Sequence, residues 1–464
     1  MPVEGRGLSW KETQEATKTE GLVSNLTTPD SVQKLQTALH DKAKESPSFR
    51  FHALYDKVYR KDVLTFAYAC CKANGGAAGV DKQTFEDIET YGVERWLAEL
   101  TQELKSRTYQ PLPVRRVYIP KPDGKQRPLG VPAIRDRTAE MAAVLVLEPI
   151  FEADLPPEQY AYRRDRSALD AVRHVHKLIN TDHGEIVDAD LSSYFDTLPH
   201  ADLLKSVARR VVDGAMLHRI KMWLEAPVEE TDERGNKRRS TRNRDDGRGT
   251  PQGSPISPLL SNLYMRRFVL GWKKLGHEKR LKAYIVNYAD DLVICCRDQA
   301  TEALITMRNM MTKLQLTVNE TKTRVCKLPE EKFDFLGYTF GRCYSPKTGR
   351  AYLGTTPSKK RVQRICQAIS EATRRNKTQQ AFEQLVAQLN RQLIGWANYF
   401  CLGPVWKAYS VVERHTCRRL RQWLRSKHKR KGAGTKRYPD QLLHAKFGLV
   451  RLNGRTVSFP WARP

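Results

Sequence analysis

The run Ala283-Tyr284-Ile285-Val286-Asn287-Tyr288-Ala289-Asp290-Asp291-Leu292-Val293-Ile294-Cys295-Cys296 decides how this chain is read. Apolar residues fill 283–286 and 292–296, so the segment predicts two buried strands joined by a tight turn. The turn, Tyr288-Ala289-Asp290-Asp291, sets two carboxylates side by side against a core. Like charges held that close are unfavourable unless a cation compensates them. An Asp-containing hairpin turn is common by itself, but a second acid-ended strand, Glu185-Ile186-Val187-Asp188-Ala189-Asp190, strengthens the case. If the two units lie side by side, Asp190 and Asp290 can share hard cations through oxygen ligands. Two such ions roughly 4 Å apart suit nucleotidyl transfer.

Composition points the same way. The 464 residues carry 80 Lys and Arg against 52 Asp and Glu, a formal charge of +28. With 40% hydrophobic and 28% charged residues, the chain reads as globular, long enough for several cores. The positive surplus exceeds what solubility needs, and its usual partner is a polyphosphate. No apolar run reaches the roughly 18 residues of a membrane span, and Met1-Pro2-Val3-Glu4-Gly5-Arg6 lacks the layout of a signal peptide. Nine cysteines without a C-x-x-C pair predict buried thiols, not disulfides or structural zinc. A membrane-spanning, secreted or collagen-like chain is excluded; a cytoplasmic address and a nucleic-acid partner are expected.

Around this centre, residues 1–50 read as a polar N-terminal extension with one or two helices. Leu54, Val58, Val63, Phe66, Ala67 and Cys70 fit a helix stopped by Asn74-Gly75-Gly76, and 93–104 fits another. Residues 114–119 predict a strand before the turn Pro122-Asp123-Gly124, and helical patterns fill 136–153, 167–180, about 200–225 and about 299–314. The polar stretch 229–249 predicts an exposed loop or hairpin. Leu385, Leu389, Leu393, Trp396 and Phe400 form the stripe of an amphipathic helix. From 414 to 437 there are eleven Lys or Arg and no acid.

These residues resemble the bacterial group II intron-encoded reverse transcriptases, or maturases. Tyr288-Ala289-Asp290-Asp291 matches that family's active-site hairpin, and Ala189-Asp190-Leu191 with Phe195-Asp196 and His200 resembles its first catalytic strand. Gly249-Thr250-Pro251-Gln252-Gly253 through Ile256-Ser257-Pro258-Leu259-Leu260 resembles the segment between them. Lys121-Pro122-Asp123-Gly124-Lys125-Gln126-Arg127-Pro128-Leu129-Gly130 resembles the finger strands. Leu316-x-x-Asn319-x-x-Lys322-Thr323 and Phe335-Leu336-Gly337-Tyr338 complete the palm. Leu393-Ile394-Gly395-Trp396-Ala397-Asn398-Tyr399-Phe400 resembles the maturase thumb, domain X. One such motif is weak; the whole set in the right order is not coincidence.

The resemblance implies an α+β right-hand polymerase: fingers and palm over 51–345 with an antiparallel palm sheet, a helical thumb over 355–432, and a short basic tail over 433–464. It implies Asp190 and Asp290 as metal ligands with the carbonyl of Leu191, Asp291 as a looser partner, and two Mg²⁺ ions with Mn²⁺ as a substitute. Lys121 and Arg127 are expected to clamp the triphosphate, Arg by its planar fork and Lys as a point charge. Phe195 is expected to exclude a 2′-hydroxyl, Gln252 to approach the nascent base pair, and Lys322 to donate a proton to pyrophosphate. Expected nucleic-acid contacts are Arg163 and Arg166 in the fingers and, in the thumb, Arg418, Arg421 and Arg425 on one helical face, followed by Lys427, Lys429, Arg430 and Lys431.

Two departures from the family pattern stand out. The finger motif S-x-G-F-R-P-G-R-S is replaced by Gln159-Tyr160-Ala161-Tyr162-Arg163-Arg164-Asp165-Arg166-Ser167, and Ser254 stands where a third glycine is frequent. Neither touches a metal ligand. The expected function is RNA-templated DNA synthesis from a DNA or RNA primer using dNTPs, with binding of a group II intron RNA that assists splicing and retrohoming. No HNH-type Cys/His array follows the thumb, so an endonuclease-lacking type is expected. The rival readings are a domesticated relative serving DNA repair or phage defence, and an RNA-binding splicing factor without polymerase activity; Phe195 argues against an RNA-dependent RNA polymerase.

Overall fold

The computed structural model describes residues 26–120, 126–232, 234–345, 348–432 and 434–453. In chain order its strands are β1 (Val114–Pro120), β2 (Gln126–Val131), β3 (Glu185–Asp190), β4 (Val228–Thr231), β5 (Lys237–Ser240), β6 (Ala283–Tyr288), β7 (Asp291–Cys296), β8 (Arg324–Lys327), β9 (Phe333–Phe335), β10 (Tyr338–Tyr344) and β11 (Ala351–Pro357). They form three sheets, ordered β2-β1-β4-β5, β6-β7-β3-β8 and β11-β10-β9.

The middle sheet is the palm, and all its neighbouring strands are antiparallel. Side chains alternate across a strand, and here both faces are covered. Val187, Ala189, Leu292, Ile294 and Cys296 enter one core, while Ile186, Val286, Val293, Cys295 and Cys326 enter a second. Burial on both faces explains why these strands read as unbroken apolar runs instead of alternating ones. Parity then places Asp188, Asp190 and Asp291 on the face of the second core, where that core stops.

The finger sheet joins β1 and β2 to a hairpin made from the polar 229–249 stretch. Val114 pairs with Val228 in parallel, and Glu229 pairs with Arg239 across the hairpin. Beneath it the helix Ile134–Glu152 is buried on nearly every side, packed by the helices Asp30–Glu45 and Lys61–Asn74. The first of these corrects the expectation of an N-terminal extension over 1–50. Val32, Leu39 and Ala43 belong to the main core, and Gln36 Nε2 donates to the Leu145 carbonyl at 3.0 Å.

The thumb packs the helices Lys359–Ala372, Phe382–Tyr399 and Trp406–Lys427 around Ile369, Leu385, Leu389, Leu393, Val412, Leu420 and Trp423. Leu385, Leu389 and Leu393 are its buried stripe. Instead of trailing off as a tail after 432, the chain returns: Tyr438, Leu443, Leu449 and Leu452 enter the same core. The Leu452 amide donates to Glu413 at 3.1 Å, and Asn390 bonds the Gly448 carbonyl and the Val450 amide. Palm and thumb are tied by a pair of tyrosines. Tyr399 Oη donates to the Leu336 carbonyl at 2.8 Å, and Tyr338 Oη donates to the Tyr399 carbonyl. Among the described residues no helix is long and apolar enough to cross a membrane.

Candidate active site

Strand register brings the acids together. Across the β3–β7 pair Asp190 stands opposite Asp291, and across β6–β7 Asp291 also stands opposite Tyr288, leaving Ala289 and Asp290 as the turn. Ala289 takes a left-handed φ of 55°, which a two-residue hairpin turn demands. Buried Asn287 supports that strain: its Nδ2 donates to the Ala289 carbonyl at 2.9 Å and to the Asp291 carbonyl at 3.3 Å. Sequence reasoning gave Asn287 no role; its place next to the acid turn is the only signal that could have found it.

A second loop closes on Asp190 from 317–323. Leu191 bridges Val318, and the Asn319 amide donates to the Asp190 carbonyl at 2.8 Å. Asp190 Oδ2 accepts from Asn319 Nδ2 at 3.0 Å and from Lys322 Nζ at 2.9 Å. That bond, and the nearby Asp290 and Asp291 charges, hold the Lys322 ammonium above its usual range. Next to them, burial chiefly, with Asp291 and Asp190 adding to it, pushes the Asp188 carboxyl up to about 6 against the pull of Arg324. Crowded negative charge is thus met by one lysine and one arginine.

Phe195 and Gln252 come from the other side. The short helix Tyr194–Thr197 starts after Ser193, whose φ is 48°. Tyr194 is pinned inside by its Oη donating to the Ser261 carbonyl at 2.6 Å, while Phe195 is half-buried with its ring 6.4 Å from that of Tyr162. The Thr250 amide donates to the Phe195 carbonyl at 2.8 Å, and Gln252 Nε2 reaches Asp196 at 3.3 Å. Gly253, at φ 112°, lies so near the finger strand that a Cβ would stand 2.4 Å from the Gly130 carbonyl oxygen. Only glycine fits there.

Other expected contacts are placed differently. Lys121 lies outside the described residues, and Arg127 is described only by its backbone, paired with Ile119 in the finger hairpin. Arg163 is not a template contact. It is 5% exposed, its Nε and Nη2 donate to Glu152 at 2.6–3.0 Å, and its Nη1 donates to the Pro156 and Gln159 carbonyls at 2.7 and 2.8 Å. Every arm of the fork is taken inside the protein. Arg166 remains half-buried over the Tyr160 ring, and Ser167 caps the helix Ala168–Ile179 through a capping box with Asp170.

The thumb cations divide as well. Arg418, Lys429, Arg430 and Lys431 are exposed and Arg425 is half-buried. Arg421 is engaged within the thumb: its Nε donates to the Tyr438 carbonyl at 2.8 Å and its Nη2 pairs with Asp440. Lys427 is likewise engaged, donating to the Thr378 and Gln380 carbonyls at 3.0 and 2.9 Å above the Trp423 ring. These two hold the thumb's own turns and are removed from the expected nucleic-acid set.

Finger strands, a twice-covered antiparallel palm sheet and a helical thumb define a right-hand polymerase fold of the reverse transcriptase kind. Residues 119–340 match the family described as reverse transcriptase (RNA-dependent DNA polymerase), and residues 362–439 match the group II intron, maturase-specific domain. The chain is 38% identical over 245 residues to protein YkfC of Escherichia coli K12, a match spanning 51% of this chain and 61% of that protein. It is 32% identical over 230 residues to the group II intron-encoded protein LtrA of Lactococcus lactis subsp. cremoris, spanning 48% of this chain and 36% of LtrA. A solved partial Cas6-RT-Cas1--Cas2 complex is similar at a TM-score of 0.33 and 22% identity, covering 57% of this chain and 42% of that one. The chain thus carries a match to a reverse transcriptase domain followed by a match to a group II intron maturase-specific domain, and it is similar to group II intron-encoded proteins over about half its length.

Members of the reverse transcriptase family work with divalent metal ions. The donors here fit such an ion: carboxylates from β3 and the β6–β7 turn, all hard oxygens, with a lysine ammonium already seated at Asp190. Among the described residues no three His, Cys, Asp or Glu side chains are drawn into a closed ligand set; Asp190 Oδ2 is instead held by Lys322 and Asn319.

Proposed function

We propose that this chain is an RNA-directed DNA polymerase that extends a primer 3′-end with dNTPs on an RNA template, and that it binds a group II intron RNA and assists its splicing and retrohoming. The observation that carries the reading is the strand register that sets Asp190 opposite Asp291 at the end of the palm sheet, beside the turn residue Asp290, with the Lys322 ammonium bonded to Asp190. The family matches support it, as does a thumb whose outer cations suit an RNA or a template–primer duplex.

In the reaction, the primer 3′-hydroxyl gives up its proton to solvent as its oxygen forms a bond to the α-phosphorus of the dNTP. The bond from that phosphorus to the bridging oxygen breaks, and pyrophosphate leaves. Asp190, Asp290 and the Leu191 carbonyl would hold two Mg²⁺ ions, or Mn²⁺ in their place, with Asp291 balancing charge. Bound there, the ions supply Lewis acidity to the 3′-hydroxyl and to the leaving oxygens. Phe195 bounds the sugar, so that a 2′-hydroxyl meets its ring. Gln252 faces the nascent pair, and Lys121 and Arg127 hold the triphosphate. Lys322 carries a proton near the leaving pyrophosphate, to which it passes that proton.

Primer extension on an RNA template with Mg²⁺ and dNTPs tests this. The wild-type chain extends the primer and Asp290→Ala does not. Equal extension by both would remove the assignment.

A further inference from the structure

One buried acid of the fingers is used by none of the chemistry above. Glu140 lies within the helix Ile134–Glu152 and is 4% exposed. Its Oε2 accepts from Ser254 Oγ at 2.5 Å, and its carboxylate also accepts from the Ile256 amide. Both donors belong to the loop that carries Gln252. That loop is gripped on its opposite side by β2, where the Gly130 amide donates to the Gln252 carbonyl at 2.7 Å and Gly253 leaves no room for a Cβ. Ser254 is itself the residue that departs from the family's glycine, and its hydroxyl is what reaches Glu140.

We propose that Glu140 is a positioning residue for nucleotide selection: through Ser254 and the Ile256 amide it fixes the 250–257 loop, and so sets where Gln252 meets the nascent base pair. This rests on the reading of Gln252 given above. Glu140 forms no part of the solvent-facing site and acts only through the loop. Burial pushes its carboxyl up to about 8. The charged and titratable groups around it are Asp136 and Arg137 on its own helix, Cys71 on the helix Lys61–Asn74, and Tyr109 ahead of β1. A group that holds its proton at neutral pH is mimicked by an amide, so Glu140→Gln keeps an acceptor for Ile256 and a partner for Ser254.

The test is single-nucleotide incorporation opposite matched and mismatched template bases, with thermal melting of each variant. Ser254→Ala, which removes only a hydroxyl, and Glu140→Ala should each raise the dNTP KM about tenfold and lower discrimination, with kcat within about threefold, the size of one lost buried hydrogen bond. Glu140→Gln should restore the wild-type KM, and the double variant Glu140→Ala/Ser254→Ala should be no worse than Glu140→Ala alone. A folded Ser254→Ala with wild-type KM and discrimination overturns the proposal, as does a Glu140→Gln as poor as Glu140→Ala, or full additivity. If Glu140→Ala fails to fold, Ser254→Ala and Glu140→Gln still decide it. Gln252→Ala separates the two levels: with KM and discrimination unchanged there, the reading of Gln252 fails on its own.

Discussion

Lys322 Nζ lies 2.9 Å from Asp190 Oδ2, so the strand acid expected to bind a cation already holds one. The lysine comes from the 317–323 loop, whose Asn319 grips the same carboxylate and the backbone beneath it. Because Asp190, Asp290 and Asp291 hold this ammonium above its ordinary range, it keeps its proton at neutral pH. Lys322→Ala should lower the single-turnover rate about 100-fold, the low end for loss of a positioned proton donor, with little change in dNTP affinity. Rapid-quench primer extension checks this; a rate within twofold of wild type would return Lys322 to a charge-balancing role.

Phe195 is held at its backbone by the Thr250 amide and presents a half-buried ring toward Tyr162. Replacing it with Ala opens the space that the ring occupies without touching an acid. Phe195→Ala should admit rNTPs, raising their incorporation relative to dNTPs at least tenfold, about the 1–3 kcal/mol that small steric changes in a pocket allow. Competitive incorporation of dNTP and rNTP on one template measures it. Unaltered sugar selectivity would sink the steric assignment.

Arg163 and Arg166 are three residues apart and should behave as opposites. Arg163→Ala leaves the half-buried Glu152 carboxylate and the Pro156 and Gln159 carbonyls without their donor, which costs about 1–3 kcal/mol. A marked fall in melting temperature is expected, and Arg163→Lys should not rescue it, since an ammonium cannot replace the fork that spans Glu152, Pro156 and Gln159. Arg166→Ala should melt near wild type. Equal stability of Arg163→Ala and wild type would contradict the internal role.

How much of this was legible in the sequence depended on distance along the chain. The hairpin around Asp290 and Asp291 could be read because its turn and both flanking runs are local. The direct opposition of Asp190 to Asp291 could not, since it needs the strand order β6-β7-β3-β8, which no periodicity encodes when both faces are buried. Arg163 was misread for a related reason. Its partner Glu152 sits on a helix that periodicity did reveal, but the fork closes through backbone carbonyls, which carry no residue identity. The 438–452 return was missed because its Tyr and Leu residues are scattered among polar ones and gain a core only from the thumb helices.

Glu140 gives the protein a pH dependence with a definite sign. Its carboxyl moves from an ordinary 4.5 to about 8 on folding, chiefly through burial. The folded state therefore holds a proton that the unfolded state releases. The contribution to stability is fully present below about 4.5 and is lost as pH rises through about 8. Glu140→Gln does not titrate, so its melting temperature relative to wild type should rise between pH 6 and pH 9, by about 2–4 °C. Melting curves across that range check it; a constant difference would mean that the acid is already ionised at pH 6.

The thumb cations should separate into two classes under salt. Lys429, Arg430 and Lys431 are exposed, whereas Arg421 and Lys427 are bonded to Tyr438, Asp440, Thr378 and Gln380. Removing the charge of a phosphate-tracking cation lowers affinity for any RNA. It also flattens the slope of log affinity against log salt by about 0.7–0.9 for each phosphate no longer neutralised. The triple change of Lys429, Arg430 and Lys431 to Gln should therefore reduce that slope by about 2 with the melting temperature unchanged. Arg421→Gln should leave the slope alone and lower the melting temperature, because it frees the 438–440 turn from the helix Trp406–Lys427. Filter binding over a salt series, read beside the melts, distinguishes the two. A slope change for Arg421→Gln as large as that per residue in the exposed cluster would put Arg421 back on the RNA face.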